Sequence, residues 1–429
     1  GGVETQEYFS IEMSKTFQKH GYEIYWFDLV LSGLSAKQLC DFYKADKSKK
    51  FMAFTFNFNG IAGEDGLYDE SFEGGSFWNE TKIPVYNMVV DHPLYYHKYL
   101  PLRPENYMQI SIDKNHIKYM KRFFPGVQLA PDDGFLVLGG TELNEKRDIL
   151  SDKFLPVDKR DIDVIFTGNY TPVNSFDRFI AHLDSDYQEF YRGLVRKLIE
   201  NPEMIVEDAA EEELKNQGIQ FTDDELKQIM PNLMFVDLSV RFYFRAEVIA
   251  RLADSGIKVH TFGAGWDMLE CRHPENIITA GNVSSQECLD MISRSKISVN
   301  VMPWFKQGAH DRVFNSMLNG AVCVTDTSGY LKDNFIDGEN IIFYNLENID
   351  AAADKIKRLL TNHDELEHIA ENAYKIYVIA NNFDCGILIS LSKEYSIFNS
   401  VKIVSNKYSF FNGCFFCSES LLLRLVIFS

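Results

Sequence analysis

The sequence predicts an α/β protein built of two Rossmann-like, doubly wound parallel-sheet domains, the second with a helical insertion. Three observations support this. The chain has 429 residues, two to three times the length of an ordinary single domain. Short apolar runs alternate with amphipathic stretches in two successive series, the pattern of strand-helix-strand crossovers and not of hairpins. Hydrophobic residues at 45% and charged residues at 24% fit a packed globular chain, so wholesale disorder, collagen and coiled coil are excluded.

In chain order, Phe9, Met13 and Phe17 recur at helical spacing and Gly21 follows as a stop, as expected of a helix with a glycine at its C-terminal end. Residues 23–31, 51–58, 85–90 and 107–112 read as strands, with a helix over 115–124. The run Val85-Tyr86-Asn87-Met88-Val89-Val90 suits a strand covered on both faces. Charged residues 141–160 are expected to link the domains, which divides the chain into 1–157 and 158–383. The second series places strands at 162–167, 258–262, 277–279, 297–301, 321–325 and 341–344. Its helices are expected at 245–253, 285–293, 313–318 and 351–360. Between its first two strands lies an acidic, helical insertion over about 171–244. There the run Glu207-Asp208-Ala209-Ala210-Glu211-Glu212-Glu213 is expected to be a solvated helix face. Residues 384–429 form a divergent tail, with four basic and three acidic residues, so the acidic excess belongs to what precedes it.

A formal charge of −19 argues against nucleic acid as a partner, because phosphate neutralisation needs clustered Lys and Arg. No run reaches the roughly 18 apolar residues of a membrane span, and the stretch Gly1-Gly2-Val3-Glu4-Thr5 does not have the basic-then-apolar pattern expected of a signal peptide. Seven irregularly spaced cysteines suit reduced thiols. A cytoplasmic protein is expected. Any anionic ligand must then be held by a local pocket.

The best candidate for such a pocket is the stretch from Pro303 to Asp326. A strand ends near Met302, a loop with Gly308 follows, and a helix starts around Asp311, taken as its N-cap. Helix-start N–H groups with His310, Arg312 and Lys306 would make an anion site suited to a diphosphate. The plainer alternative is an ordinary strand-loop-helix whose Arg312 pairs with a surface carboxylate.

This stretch, with Ser328-Gly329-Tyr330-Leu331 and the run from Phe335 to Tyr344, resembles the donor-binding domain of GT-B glycosyltransferases of the group 1 family. It looks closest to the CgeB-like spore-protein type, in which a His-x-Arg-x-Phe pattern precedes the helix. The similarity extends to residues 163–169, 259–266 and 281–284. More weakly, Gly1-Gly2-Val3-Glu4 is similar to the loop that opens the acceptor domain of related enzymes.

The resemblance implies a hexosyltransferase-like enzyme that takes a nucleotide-diphosphate sugar as co-substrate and passes the sugar to an unknown acceptor. It implies no cofactor and no metal. Residues 1–157 would be the acceptor domain and 158–383 the donor-binding domain. Binding of the nucleotide sugar is assigned to Gly168, Asn169, Gly263, Val283, Lys306, His310 and Asn315. Catalytic roles fall to Arg312, beside the leaving diphosphate, and to Asp91 and His92, polar residues at the carboxyl end of an apolar strand. Alternatively, Asp91 caps a turn before Pro93 and His92 packs among Tyr95 and Tyr96. Related retaining enzymes carry two glutamates where this chain has Gln307 and Asn315, which leaves the stereochemistry open.

Two other functions share the architecture: a non-catalytic spore-surface, structural or sugar-nucleotide-binding protein, and a sugar-nucleotide epimerase, which needs paired carboxylates not evident here. Gly263-Ala264-Gly265 lacks the third glycine of a dinucleotide fingerprint, and no zincin or P-loop motif occurs. Cys414-Phe-Phe-Cys417 has no second pair to complete a metal site. The first domain is expected to lack its first strand, and the tail to be shifted or divergent.

Overall fold

The computed structural model describes residues 4–46, 48–143, 154–380 and 423–428. The Gly-Gly start, half of the predicted linker, the Cys414 pair and most of the tail lie outside the described residues.

The first sheet contains β1 (Tyr22–Phe27), β2 (Lys50–Phe56), β3 (Val85–Val89) and β4 (Tyr107–Ser111). Its order is β1-β11-β2-β3-β4, all parallel, where β11 is Leu423–Phe428. A strand in this slot is covered on both faces and must be apolar; Val426 and Ile427 of β11 are fully buried. Helices α1 (Glu4–Lys19), α2 (Ser32–Ala45), α3 (Phe77–Thr81) and α4 (Lys114–Phe123) belong to this half. α1 stops at Gly21, whose φ of 83° is the left-handed conformation that glycine adopts without strain.

The second sheet holds β5 (Ile162–Thr167), β6 (Val259–Phe262), β7 (Ile277–Gly281), β8 (Ser295–Asn300), β9 (Val322–Asp326) and β10 (Ile342–Tyr344). Its order, β10-β9-β8-β5-β6-β7, is again all parallel. This is the 3-2-1-4-5-6 arrangement of the doubly wound dinucleotide fold. The predicted class, two Rossmann-like parallel-sheet domains, is the observed one. The insertion between β5 and β6 is helical as expected: α5 (Ser185–Glu200), α6 (Val206–Asn216), α7 (Asp223–Ile229) and α8 (Met234–Asp254). α8 is longer than the sequence pattern suggested, running unbroken from the insertion into the predicted helix at 245. Four helices pack later: α9 (Ser285–Ser293), α10 (Asp311–Leu318), α11 (Gly329–Asn334) and α12 (Asp350–Leu360). The last described helix is α13 (His363–Ala380).

The acidic run corrects one expectation. It forms α6, but Glu207 is only 4% exposed and Ala209 and Ala210 are fully buried. Helical periodicity turns these three inward and leaves the later glutamates outside.

The two halves share an apolar core. One cluster joins Met13, Phe17, Phe54 and Tyr86 of the first half to Phe305, Phe314, Met317 and Tyr374 of the second. Polar contacts pin the junction: Asp113 Oδ2 accepts from Gln307 N at 2.8 Å, and Asp113 and Gly308 form a short antiparallel bridge. A Cβ at Gly308 would lie 2.1 Å from the Ile112 carbonyl oxygen, and that neighbour is backbone. Gly308→Ala is therefore expected to destabilise the protein by about 1–3 kcal/mol, the usual cost of overpacking. Urea unfolding would read the loss, and an unchanged midpoint would refute the tightness of this junction.

Candidate active site

The chain runs from β5 outward to β7 and returns to β8 on the opposite side, so the loops leaving β5 and β8 diverge. Ligands of open α/β sheets bind in the crevice this creates. Arg312, the second residue of α10, fills it. Its Nη1 donates to the Thr167 carbonyl at the end of β5 at 2.6 Å, and its Nη2 to the Val301 carbonyl after β8 at 3.5 Å. Nε donates to His310 Nδ1 at 3.3 Å. The side chain is buried, and its pKa is pushed down by burial to about 10, so it stays charged at neutral pH.

Glycine is needed around this guanidinium. Gly168 has φ +146°, and a Cβ there would sit 2.9 Å from Arg312 Nη1. Gly263 has φ +136°, and its Cβ would meet the Gly168 carbonyl oxygen at 2.5 Å. Asn169 Oδ1 accepts from Ala264 N at 2.9 Å. Gly168, Asn169 and Gly263 thus form one junction between the β5 and β6 loops, shaped to let Arg312 approach the backbone.

The start of α10 differs from the expectation. The N-cap is His310, not Asp311: its Nδ1 accepts from Arg312 N at 3.3 Å, which occupies an N–H group that an anion would otherwise use. Nδ1 also lies 2.5 Å from Asp311 Oδ1, and it cannot accept from Arg312 and donate to Asp311 together. Burial, with the Arg312 charge second, holds the ring neutral down to about 4 against the pull of Asp311. Acceptance from Arg312 is therefore the state at neutral pH, and Asp311 Oδ2 takes a hydrogen bond from Asn315 Nδ2 at 2.9 Å.

Two further arginines stand beside Arg312, spaced one helical turn apart on α8. Arg241 lies over the Trp304 ring at 4.1 Å and Arg245 lies 5.1 Å from it, both within cation–π range. Arg245 Nη1 donates to the Asn169 carbonyl at 2.8 Å. Burial, then the neighbouring Arg312 and Arg241 charges, press the pKa of Arg245 well below its ordinary value. Arg241 meets Asp237 at 3.3 Å and Asp91 at 3.7 Å. Lys306, whose pKa is lowered by burial, donates from Nζ to the carbonyls of Pro202 and Pro303.

Asp91 and His92 approach from the end of β3. Asp91 Oδ2 accepts from Asn57 Nδ2 at 3.3 Å and from Tyr96 OH at 3.2 Å. The turn before Leu94 is capped by His92, not Asp91: its Nδ1 accepts from Leu94 N at 3.2 Å. The His92 ring packs on His116 and Tyr119, not on Tyr95 and Tyr96. Its Nε2 faces Glu207 Oε1 of α6 at 3.5 Å. Burial disfavours a charged ring, but Glu207 outweighs it and raises the pKa of His92.

His92, His116, Asp237, Arg241, Trp304 and Lys306 line a common cavity of ≈ 40 Å³, room for about one to three waters. Small-molecule sites are usually about 300–1,000 Å³, so the insertion closes over the cleft. Two of the lining residues carry buried side-chain atoms without a hydrogen-bond partner, both nitrogens of His116 and Nε of Arg241; Glu207 Oε2 and Arg245 Nε, on residues outside the lining, are further such atoms.

Of the sequence-predicted site residues, the structure gathers His92 and Lys306 at the cavity, with Asp91 behind Arg241, and Gly168, Asn169, Gly263, His310 and Arg312 at the crevice. Val283 is elsewhere, packed beside Ile165, Phe262 and Leu289. Asn315 is tied down: its Oδ1 accepts from Thr141 N at 2.8 Å and its amide holds Asp311. Sequence reasoning missed Arg241, Arg245, Trp304, Asp237, His116 and Glu207. The i,i+4 pair Arg241-Phe-Tyr-Phe-Arg245 was the available signal.

Half of these residues lie in one segment that is similar to a known family. Residues 245–383 match the glycosyl transferase-like family. The chain thus carries a glycosyltransferase-like domain that begins at Arg245 and includes Lys306, His310 and Arg312, about a third of its length. No curated protein matches the sequence. Solved structures are similar at low identity. TarM of S. aureus matches at 15% identity and TM-score 0.36, over 74% of this chain. The chain covers only 55% of TarM. An alpha-glucosyltransferase in complex with UDP-glucose and DNA, of unstated organism, matches at 13% identity and TM-score 0.46, covering 91% and 95% of the two chains. Sucrose-phosphate synthase of Thermosynechococcus elongatus matches at 12% identity and TM-score 0.38, covering 92% and 78%. No helix among the described residues is long and apolar enough to cross a membrane.

The buried histidines give a pH dependence. His116 is 2% exposed, and burial, with the His92 ring second, lowers its pKa to about 4. The unfolded chain takes up this proton near pH ~6.5. The folded state binds it only near 4, so the unfolded form is favoured progressively as pH falls between these values. Stability should drop by about 2–3 kcal/mol per such ring over that window. His116→Phe should flatten the difference between urea midpoints at pH 7 and pH 4.5; an unaltered difference would show that His116 is not held neutral.

Proposed function

We propose that the protein is a glycosyltransferase that moves a sugar from a nucleoside diphosphate sugar to an acceptor hydroxyl. The observation that carries this reading is Arg312, held by the ends of β5 and β8 in the switch-point crevice, with Arg245 and Arg241 beside it, inside the glycosyl transferase-like segment or at its edge. Buried guanidiniums repel one another; Asp237 and Asp91 offset Arg241, and an anion beside Arg245 and Arg312 would offset the other two. A nucleoside diphosphate supplies that charge. As the bond from sugar to diphosphate breaks, negative charge grows on the leaving oxygen, and fixed cations there lower the barrier. Guanidiniums pair with phosphate oxygens through two parallel N–H groups, and here they supply charge that a divalent metal supplies in other sites. The reading is therefore of metal-independent transfer.

The donor would lie along the carboxyl ends of β5 and β8, with the acceptor on the side of Asp91 and His92. The two-domain architecture is that of the GT-B enzymes the sequence resembles. Free cysteines Cys40, Cys271, Cys288 and Cys323 fit a cytoplasmic setting. Since the cavity is too small for a nucleotide sugar, donor entry requires the insertion to move away from Lys306 and His92.

One observation favours a second reading, a sugar-nucleotide-binding protein without turnover. Asn315 is held by Thr141 through its Oδ1 and by Asp311 through its amide, so a ribose hydroxyl would have to share that oxygen with Thr141 N. Isothermal calorimetry with UDP, GDP and TDP separates the outcomes. One diphosphate is expected to bind, and Arg312→Ala to weaken it at least tenfold, in line with the loss of a charge-assisted hydrogen bond. Release of that diphosphate from its sugar ester identifies the transferase, and binding without release identifies the second reading. No binding by any of the three would refute both.

A further inference from the structure

The polar groups on the wall of the cavity are mostly committed to neighbours or closed off from its space. His92 Nδ1 accepts from Leu94 N, and its Nε2 faces Glu207. Lys306 donates to two backbone carbonyls, and Asn115 Oδ1 accepts from Lys118 Nζ at 3.1 Å. The His116 nitrogens and Arg241 Nε have no partner, but they are buried atoms. Asp237 is different. Both of its side-chain hydrogen bonds fall on Oδ2, which accepts from Tyr95 OH at 2.6 Å and from Arg241 Nη2 at 3.3 Å. Among the described residues nothing donates to Oδ1, and Oδ1 is not one of the buried partnerless atoms. It is an open carboxylate oxygen on the wall of the cavity, and its twin oxygen holds it in place.

Its position between the two domains gives this oxygen a meaning. Asp237, Arg241 and Arg245 recur every four residues on α8, so they share a face, spread over roughly 12 Å at 1.5 Å per residue. The two arginines stand on the side of Arg312, where the leaving diphosphate is placed. Asp237 lies beyond them and is held by Tyr95, which belongs to the first domain and follows His92 after Pro93 and Leu94. In a sugar ester of a nucleoside diphosphate, the sugar lies between the phosphates and the acceptor. A carboxylate oxygen can only accept hydrogen bonds, and the groups a sugar ring has to donate are its hydroxyls. Apolar wall comes from Leu198, Met204, Ile205 and Val206, around the turn between α5 and α6. α8 itself is anchored by the fully buried Val248, Ile249 and Leu252. Displacing that turn would therefore enlarge the cavity while Asp237 stays beside Arg241.

Resting on the transferase reading, we propose that Asp237 is a specificity-determining residue for the donor: its Oδ1 accepts a hydrogen bond from a hydroxyl of the transferred sugar. Arg241 and Tyr95 are the positioning residues that aim it. One face of α8 then reads both parts of the donor, the phosphates by cations and the sugar by an anion. Close to phosphates a carboxylate opposes binding by Coulomb repulsion. A sugar hydroxyl offsets that repulsion through a charge-assisted hydrogen bond, so the site favours the complete sugar ester over the free diphosphate.

The test uses the full chain in equilibrium binding with UDP, GDP and TDP, with their glucose and galactose esters, and with the 2-, 3-, 4- and 6-deoxy forms of the ester that binds best. Wild-type protein is expected to bind at least one deoxy ester tenfold or more weakly than its parent. Asp237→Asn keeps the shape of the side chain and an oxygen for Tyr95 and Arg241, but places an amide where Oδ1 stood. It should bind the parent ester at least tenfold more weakly and no longer distinguish it from that deoxy ester. Its affinity for the free diphosphate should be unchanged or higher, because a repelling charge is gone. This opposite direction separates loss of a sugar contact from damage to the site. Equal affinity of the wild type for the parent and every deoxy ester, or wild-type affinity of Asp237→Asn for the parent ester, overturns the assignment. So does an equal loss for the ester and the free diphosphate, which would mean that Asp237 acts only through Arg241. A fall in kcat for ester hydrolysis with donor affinity unchanged also overturns it and makes Asp237 a proton acceptor instead. A wild-type protein that binds no diphosphate overturns the transferase reading itself.

Discussion

The fold converges on the contact of one guanidinium with the ends of two strands. Arg312 can reach the Thr167 and Val301 carbonyls only because β5 and β8 are neighbours whose loops turn opposite ways, and only because residue 168 has no Cβ. The backbone carbonyls fix the charge without neutralising it. An arginine paired with a carboxylate would have spent its charge; one held by carbonyls is positioned and still fully cationic, as an anion site requires.

That choice has an electrostatic consequence for everything nearby. Arg245 and Arg241 add like charge on the same side, and the chain compensates only partly. Asp237 and Asp91 attend to Arg241, Asp311 lies under His310, and Arg245 receives only a carbonyl and aromatic faces. A protein that carries a charge of −19 therefore keeps a small cationic interior. Acidic groups outside it repel anions in general, while the interior attracts the one that fits, so the two features together select for a ligand that can enter and not merely approach.

The insertion ties this interior to the first domain. Glu207 reaches His92, Asp237 reaches Tyr95, and Pro202 caps Lys306. On the outer side, Arg122 of α4 binds Glu211 and Asp223; these exposed pairs contribute little stability but register the helices. The buried contacts are the ones that matter for the site, because each joins a residue of the cleft to one on the insertion.

What the sequence made legible follows from periodicity. β5 and α9 were read to the residue because their apolar patterns are regular and their ends are marked, α9 by a Ser284–Glu287 capping box. Arg312 and Gly168 were legible because a strand-loop-helix with glycine and basic residues has a chemical meaning on its own. Glu207 was not. In sequence it is the first of a row of acids, and only the phase of α6 shows that it points inward while Glu211, Glu212 and Glu213 remain toward solvent. Arg241 and Arg245 were hidden differently, as two charges in an aromatic helix whose partner, Trp304, lies some sixty residues away. Asn315 shows the converse. Its place in a family pattern suggested ligand contact, but its bond to Thr141 fastens the crossing segment to α10. With Gln307 also placed at the domain junction, neither position carries a carboxylate. If ribose is recognised, it must be through backbone groups or other side chains. The buried charge that remains is concentrated on Arg312, Arg245 and Arg241, and of these only Arg241 has carboxylates, Asp91 and Asp237, beside it.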